Sequence, residues 1–115
     1  MLKLSKELPS DIFEKRLGGE GEVKATRLLE VDQMRGKGRM FNHMMLKPGS
    51  SLGYHQHNSE SETYYIVAGE GTLNDNGEKK PIQAGDVAFT DSGEFHSIEN
   101  TGTINLEFIA LILFV

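Results

Sequence analysis

From Val23 onward, short apolar or alternating segments are separated by clusters of glycine, proline, asparagine and aspartate. No long stretch repeats apolar residues at the spacing of a helix, so the pattern is that of many short strands. Strands are predicted at Val23 to Val31, Met40 to Leu46, Glu62 to Ala68, Gly71 to Asn74, Lys79 to Gln83, Val87 to Thr90, His96 to Glu99 and Ile104 to Leu113. Asp75-Asn76-Gly77 lies between two of them, and Asn-Gly supplies the positive φ angles of a tight hairpin. Pro48-Gly49, Ala68-Gly69-Glu70-Gly71 and Ala84-Gly85-Asp86 mark further reversals. Such an order predicts an all-β sandwich or barrel, either up-and-down or double-sheet.

The segment before Val23 reads differently. Pro9-Ser10-Asp11 predicts a short helical turn through Ile12 and Phe13, and Gly18-Gly19-Glu20-Gly21 breaks any regular element. Residues 1–22 are therefore expected to form an arm, and residues 23–115 the barrel domain.

Composition narrows the function. At 115 residues the chain fits a single domain, and 25% charged and 37% hydrophobic residues are ordinary for a soluble globular protein. Seventeen Asp plus Glu against twelve Lys plus Arg give a net charge of -5, which opposes nucleic-acid binding. Without cysteine, disulfides, thiolate metal sites and cysteine nucleophiles are excluded. The amino-terminal MLKLSKELPSDIF is too polar for a signal peptide, and the apolar carboxyl-terminal run is shorter than the ~20 residues of a membrane span. A cytoplasmic location without a membrane partner is the expectation.

Any metal must then use nitrogen and oxygen donors. In an extended strand, His55 and His57 point the same way and can place two imidazoles on one ion. A turn over Asn58 to Ser61 would bring back Glu62, and His96 follows a Ser92-Gly93 turn. Three imidazoles and a carboxylate suit one divalent transition metal per chain, whether Mn, Fe, Co, Ni, Cu or Zn.

Gly49, His55, His57, Glu62 and Gly69 match G(X)5HXH(X)3,4E(X)6G in all five fixed positions. Gly85, Gly93, His96 and Asn100 match four of the five in G(X)5PXG(X)2H(X)3N, with Asp91 in place of the proline. In these two motifs the chain resembles the cupins, in particular their compact single-domain microbial members. The resemblance implies a double-stranded β-helix, or jelly-roll barrel, whose mouth holds a metal on His55, His57, Glu62 and His96. It also implies that Gly49, Gly69, Gly85 and Gly93 are turn positions and that Asn100 supports a loop. Asp91 can hold its turn through its side chain.

Alternation carries Tyr64 and Ile66 inward with Glu62, and Ile98 inward with His96. Tyr64, and His43 on the preceding strand, are the candidate catalytic residues. Arg27 and Arg39 are candidates for pairing with a carboxylate substrate. The leading functional expectation is a metal-dependent enzyme acting on a small polar compound bearing a carboxylate or enol, by decarboxylation, dioxygenation or isomerisation. The alternatives are a non-catalytic module that binds or senses a small ligand, and a structural metal. After Glu107 the carboxyl-terminal run is apolar on both alternating faces. A homodimer is therefore expected, with this strand or the arm at the interface.

Overall fold

Segments with one apolar face must bury it against another such face, and the chain does so with two antiparallel sheets. The computed structural model describes all 115 residues. Its ten strands are β1 (Ser10–Glu14), β2 (Glu22–Arg27), β3 (Gly38–Leu46), β4 (Ser51–Gln56), β5 (Glu60–Ala68), β6 (Glu70–Asp75), β7 (Glu78–Gln83), β8 (Val87–Thr90), β9 (Phe95–Glu99) and β10 (Leu106–Phe114). One sheet runs β1-β2-β3-β10-β5-β8 and the other β4-β9-β6-β7. Leu46, Ile66 and Phe108 of the first sheet share one core with Leu52, Leu73 and Ile98 of the second.

Three segments depart from expectation, one being β4, a strand that the expected set lacks. Ser10–Glu14 is a strand rather than a helical turn, because it pairs with β2 along its whole length and turns Phe13 towards the core. The strand expected to run to Val31 stops at Arg27, and Val31–Met34 forms a 3-10 turn. Glu30 and Gln33 cap that turn reciprocally, the Glu30 amide donating to the Gln33 side chain at 3.0 Å.

The local signals read from turn chemistry are in place. Asn76 and Gly77, at φ +53° and +97°, close the β6–β7 hairpin between the paired Asp75 and Glu78. The buried Asn100 side chain donates to the Leu46 and Ile104 carbonyls at 2.8 Å and accepts from the Gly102 amide at 3.0 Å. It thereby ties the loop before β10 to the end of β3. Asp91 accepts from the Ser92 amide at 2.8 Å. The carboxyl-terminal β10 lies in the centre of its sheet between β3 and β5. Leu106, Phe108, Ala110 and Ile112 are buried, while Ile109, Leu111 and Leu113 face outward.

The feature that decides the site is a bulge in β4. Leu52 pairs with Ile98, but His55 pairs with His96, so three steps on β4 match two on β9. Strict alternation from the buried Leu52 would send His55 and His57 outward; the extra residue reverses the parity and turns both inward. Tyr54 points out instead, stacked on Phe95 at 5.4 Å between centroids. Gly53 sits at this bulge with no room for a side chain, since a Cβ there would fall 1.8 Å from the Leu17 carbonyl oxygen. A Gly53→Ala substitution is expected to cost about 1–3 kcal/mol in urea denaturation, as other overpacked substitutions do, and to weaken metal binding by disturbing the bulge. Unchanged stability would show that the 16–18 turn is not seated on β4.

Candidate metal centre

β4 and β9 bring His55 and His96 directly opposite one another, and the chain just beyond β4 adds His57. The His57 amide donates to the Glu94 carbonyl at 3.1 Å, and its own carbonyl accepts from Gly93 at 2.6 Å. Glu62 comes from the other sheet, on β5 between Ile112 of β10 and Thr90 of β8. All four side chains converge, with their donor atoms within 4.8 Å of one another.

Within that cluster the three Nε2 atoms form a triangle with edges of 3.1, 3.0 and 3.1 Å. Glu62 Oε1 stands 2.9 Å from His57 Nε2 and 3.0 Å from His96 Nε2. The opposite ring nitrogens are all engaged. His55 Nδ1 donates to the Gly53 carbonyl at 2.7 Å, His57 Nδ1 to Glu60 at 2.9 Å, and His96 Nδ1 lies 2.8 Å from the Thr90 hydroxyl. A carbonyl and a carboxylate can only accept, so the neutral His55 and His57 rings must carry their protons on Nδ1. Their Nε2 lone pairs therefore face each other and Glu62 with no donor among them. Such an arrangement repels itself unless a cation sits in the middle, and the donor set of three imidazoles and one carboxylate fits a divalent transition metal.

Protonation is the alternative to a metal ion, since a ring that takes up a proton on Nε2 can donate to Glu62. Burial pushes His55 below its ordinary value. His57 is raised, first by its hydrogen bond to Glu62 and despite burial, with Glu60 adding to the effect. Burial alone would raise Glu62, but the hydrogen bonds and charges of His57 and His96 outweigh it and hold the carboxyl at about 2. Glu60 is also held at about 2, chiefly by Arg39 and then by His57. Arg39 grips Glu60 through two hydrogen bonds of 2.7 and 2.6 Å, forming a chain from Arg39 through Glu60 to His57.

The other candidates are distributed unevenly. Tyr64 is buried and stacked on His96, with 4.9 Å between centroids and 19° between planes. Burial and the neighbouring Glu62 push its hydroxyl well above the usual tyrosine range. His43 is not brought to the site: it lies on the outward face of β3, 3.1 Å from Glu107. Arg27 pairs with Asp11 at 2.6 Å and Arg39 with Glu60, so both arginines already hold carboxylates of the chain itself. Glu60 and Thr90 were not singled out by sequence, because nothing in their spacing distinguishes them from other polar strand residues. A cavity of about 400 Å³ reaches the cluster, lined by His55, His57, Glu62 and Tyr64 on one side and by Phe13, Leu17 and Val31 on another.

A two-sheet β-barrel with three histidines and a glutamate at one point defines a class, and comparison with known proteins agrees. The chain belongs to the cupins, since the Cupin domain family model matches residues 42–112. Among individual relatives, the oxalate-binding protein of Thermotoga maritima is 51% identical over 113 residues, spanning 98% of this chain and 93% of that protein. The crystal structure of a predicted oxalate decarboxylase from Thermotoga maritima superposes with a TM-score of 0.96 at 50% identity over the full length of both chains. The structure of KdgF from Halomonas sp. has a TM-score of 0.73 at 17% identity, covering 100% of this chain and 94% of that one. This last likeness is one of fold alone. No helix is long and apolar enough to cross a membrane.

Metal uptake requires His57 Nε2 as a lone pair, so protons compete with the ion. Because the hydrogen bond to Glu62 raises His57 above its ordinary value, metal affinity is expected to fall as pH is lowered through that raised value. Glu60→Gln is expected to weaken the metal by about 10–100-fold and to move the inflection to lower pH, since one of the groups favouring the His57 cation is gone. Metal titrations from pH 5 to 8 on both proteins measure this. An unmoved inflection would remove Glu60 from the site's electrostatics.

Proposed function

We propose that the protein binds one divalent transition metal on His55, His57, Glu62 and His96 and uses the remaining coordination positions to bind a small chelating carboxylic acid of the oxalate class. The observation that carries this reading is the convergence of three Nε2 atoms and one carboxylate oxygen at 2.9–3.1 Å, with Nδ1 of His55 and of His57 each facing an acceptor on its far side. His55, His57, Glu62 and His96 would hold the ion, and it would bind a ligand at any coordination position these four leave open. A divalent ion there supplies Lewis acidity and a localised positive charge. Glu62 is the only anionic donor, so the charge balance at the centre favours an anion. The oxalate-binding relative at 51% identity supports the same ligand class.

Binding rather than turnover is the primary reading, because the chain places no free acid or base beside the centre. Tyr64 is held protonated by its surroundings, His43 faces away, and Arg39 is committed to Glu60. Protein reconstituted with Mn(II), Fe(II), Co(II), Ni(II), Cu(II) or Zn(II) is expected to take up about one ion per chain, by elemental analysis, and to bind oxalate in calorimetry only when loaded. A His55→Ala, His57→Ala double variant with undiminished metal content would overturn the site. Assaying the loaded protein for formate and carbon dioxide separates oxalate binding from its decarboxylation.

The outer face of the six-stranded sheet supports a second proposal, that the chain forms a homodimer. Tyr65, Val67, Val87, Phe89 and Leu113 are all exposed large apolar side chains on the adjacent strands β5, β8 and β10. Ile109 and Leu111 extend the same face. A contiguous apolar patch of this kind marks an interaction surface, and a second copy offers the matching face. Sedimentation is expected to show a dimer at micromolar concentration, with Phe89→Glu shifting it to monomer. A monomeric parent would refute the pairing.

A further inference from the structure

Oxalate consists of two carboxyl groups and has no apolar surface, yet about half of the residues lining the cavity that reaches the metal centre are apolar. Its volume of about 400 Å³ would hold on the order of a dozen waters at ~30 Å³ each. Away from the four ligands its apolar wall includes Phe13, Leu17, Leu29, Val31 and Met40, interspersed with polar and charged side chains. Two of these, Leu17 and Val31, are 49% and 61% exposed, so their apolar surface is left to solvent at the cavity's rim.

This wall is built rather than incidental. Leu17 adopts φ +56°, a left-handed conformation that costs a non-glycine residue of order 1–3 kcal/mol and is kept only where packing enforces it. The enforcement is visible: the Leu17 carbonyl packs on Gly53, and Gly19 packs on Ser51, each so closely that a Cβ would collide with backbone. The Phe13 ring is braced by the Arg16 guanidinium, 4.3 Å from its centroid. Arg27 and Arg39, which reach the same cavity, are neutralised by Asp11 and Glu60. The wall away from the ligands therefore presents apolar surface and paired charge, together with the Arg16 guanidinium on Phe13 and the Asn42 and Gln56 amides.

We propose that the cavity is shaped for a 2-oxo acid carrying an apolar side chain. Its carboxylate and adjacent carbonyl oxygen reproduce the chelating pair of oxalate, and its side chain displaces water from Phe13, Leu17, Val31 and Met40. This rests on the chelating-acid reading above and adds the identity of the ligand's far end. The amino-terminal hairpin, remote in sequence from all four ligands, then selects the ligand.

The test is calorimetric titration of the Co(II)-loaded protein with oxalate, pyruvate, 2-oxobutyrate, 2-oxohexanoate and phenylpyruvate, with the cobalt visible spectrum reporting chelation. Affinity is expected to rise by roughly fourfold per added methylene over the first few. Leu17→Asn, which tolerates the left-handed backbone, and Val31→Ser, at an exposed position, should each reduce the phenylpyruvate-to-oxalate affinity ratio several-fold. Oxalate binding with flat or falling affinity along the series overturns this inference and leaves the oxalate-class reading intact. If neither oxalate nor any oxo acid perturbs the cobalt spectrum, both fall. If the variants change only the sedimentation coefficient, the rim is a subunit contact and the inference falls.

Discussion

Three imidazole Nε2 atoms and a carboxylate oxygen are crowded to within about 3 Å of their neighbours, and the rest of the structure can be understood as what keeps them there. Free side chains would relax away from such an arrangement. Here each ring is fixed from behind, by the Gly53 carbonyl, the Glu60 carboxylate and the Thr90 hydroxyl. The partners sit on three strands from two sheets, so the geometry depends on the barrel as a whole. Glu62 and Thr90 are cross-strand neighbours on β5 and β8, while the rings they orient belong to the opposing sheet. Packing the two sheets together and assembling the site are thus one event.

Charge follows the same logic. Arg39, Glu60 and His57 form a chain of a cation, an anion and a neutral ring that ends at the centre beside Glu62. Glu60 remains ionised at any ordinary pH because Arg39 holds it there, so it orients His57 without adding uncompensated negative charge. Against a divalent cation, Glu62 then supplies the single anionic donor, leaving a local positive charge inside a protein whose net charge is -5. An anionic chelator meets a favourable potential at the centre even though the surface as a whole repels it. Screening over about 8–10 Å at moderate salt limits that surface repulsion to the approach.

Much of this was legible in the sequence, and the part that was not has a physical reason. His55, His57, Glu62 and His96 could be read because all four occupy fixed positions of the two cupin motifs, and they do come together in the fold. The Asn76-Gly77 hairpin could be read because few residues accept its backbone angles. The residues behind the ligands could not, since Glu60 and Thr90 act through distances set by pairing between strands remote in sequence. Alternation, the rule that placed Tyr64 and Ile98 inward, would have misplaced His55 if counted from Leu52, because a bulge intervenes. The arginines read as substrate binders are paired within the chain, a competition that composition does not reveal. The first strand was invisible for a similar reason: Ser10–Glu14 has little strand character alone and is a strand because β2 offers it a complete edge.

That first hairpin touches both the candidate metal cluster and the cavity wall. Its turn presses the Leu17 carbonyl against Gly53, the residue that forms the β4 bulge and accepts the proton of His55. The same turn presents the Leu17 side chain to the cavity. A shift of the turn must therefore move both the wall that a bound acid would touch and the acceptor that fixes a metal ligand, since close-packed backbone has no slack in which to absorb it. Coupling of this kind needs no long pathway, because a single backbone contact is shared. It also explains why an exposed turn retains left-handed Leu17: relaxing that residue would release the contact that sets the His55 ring.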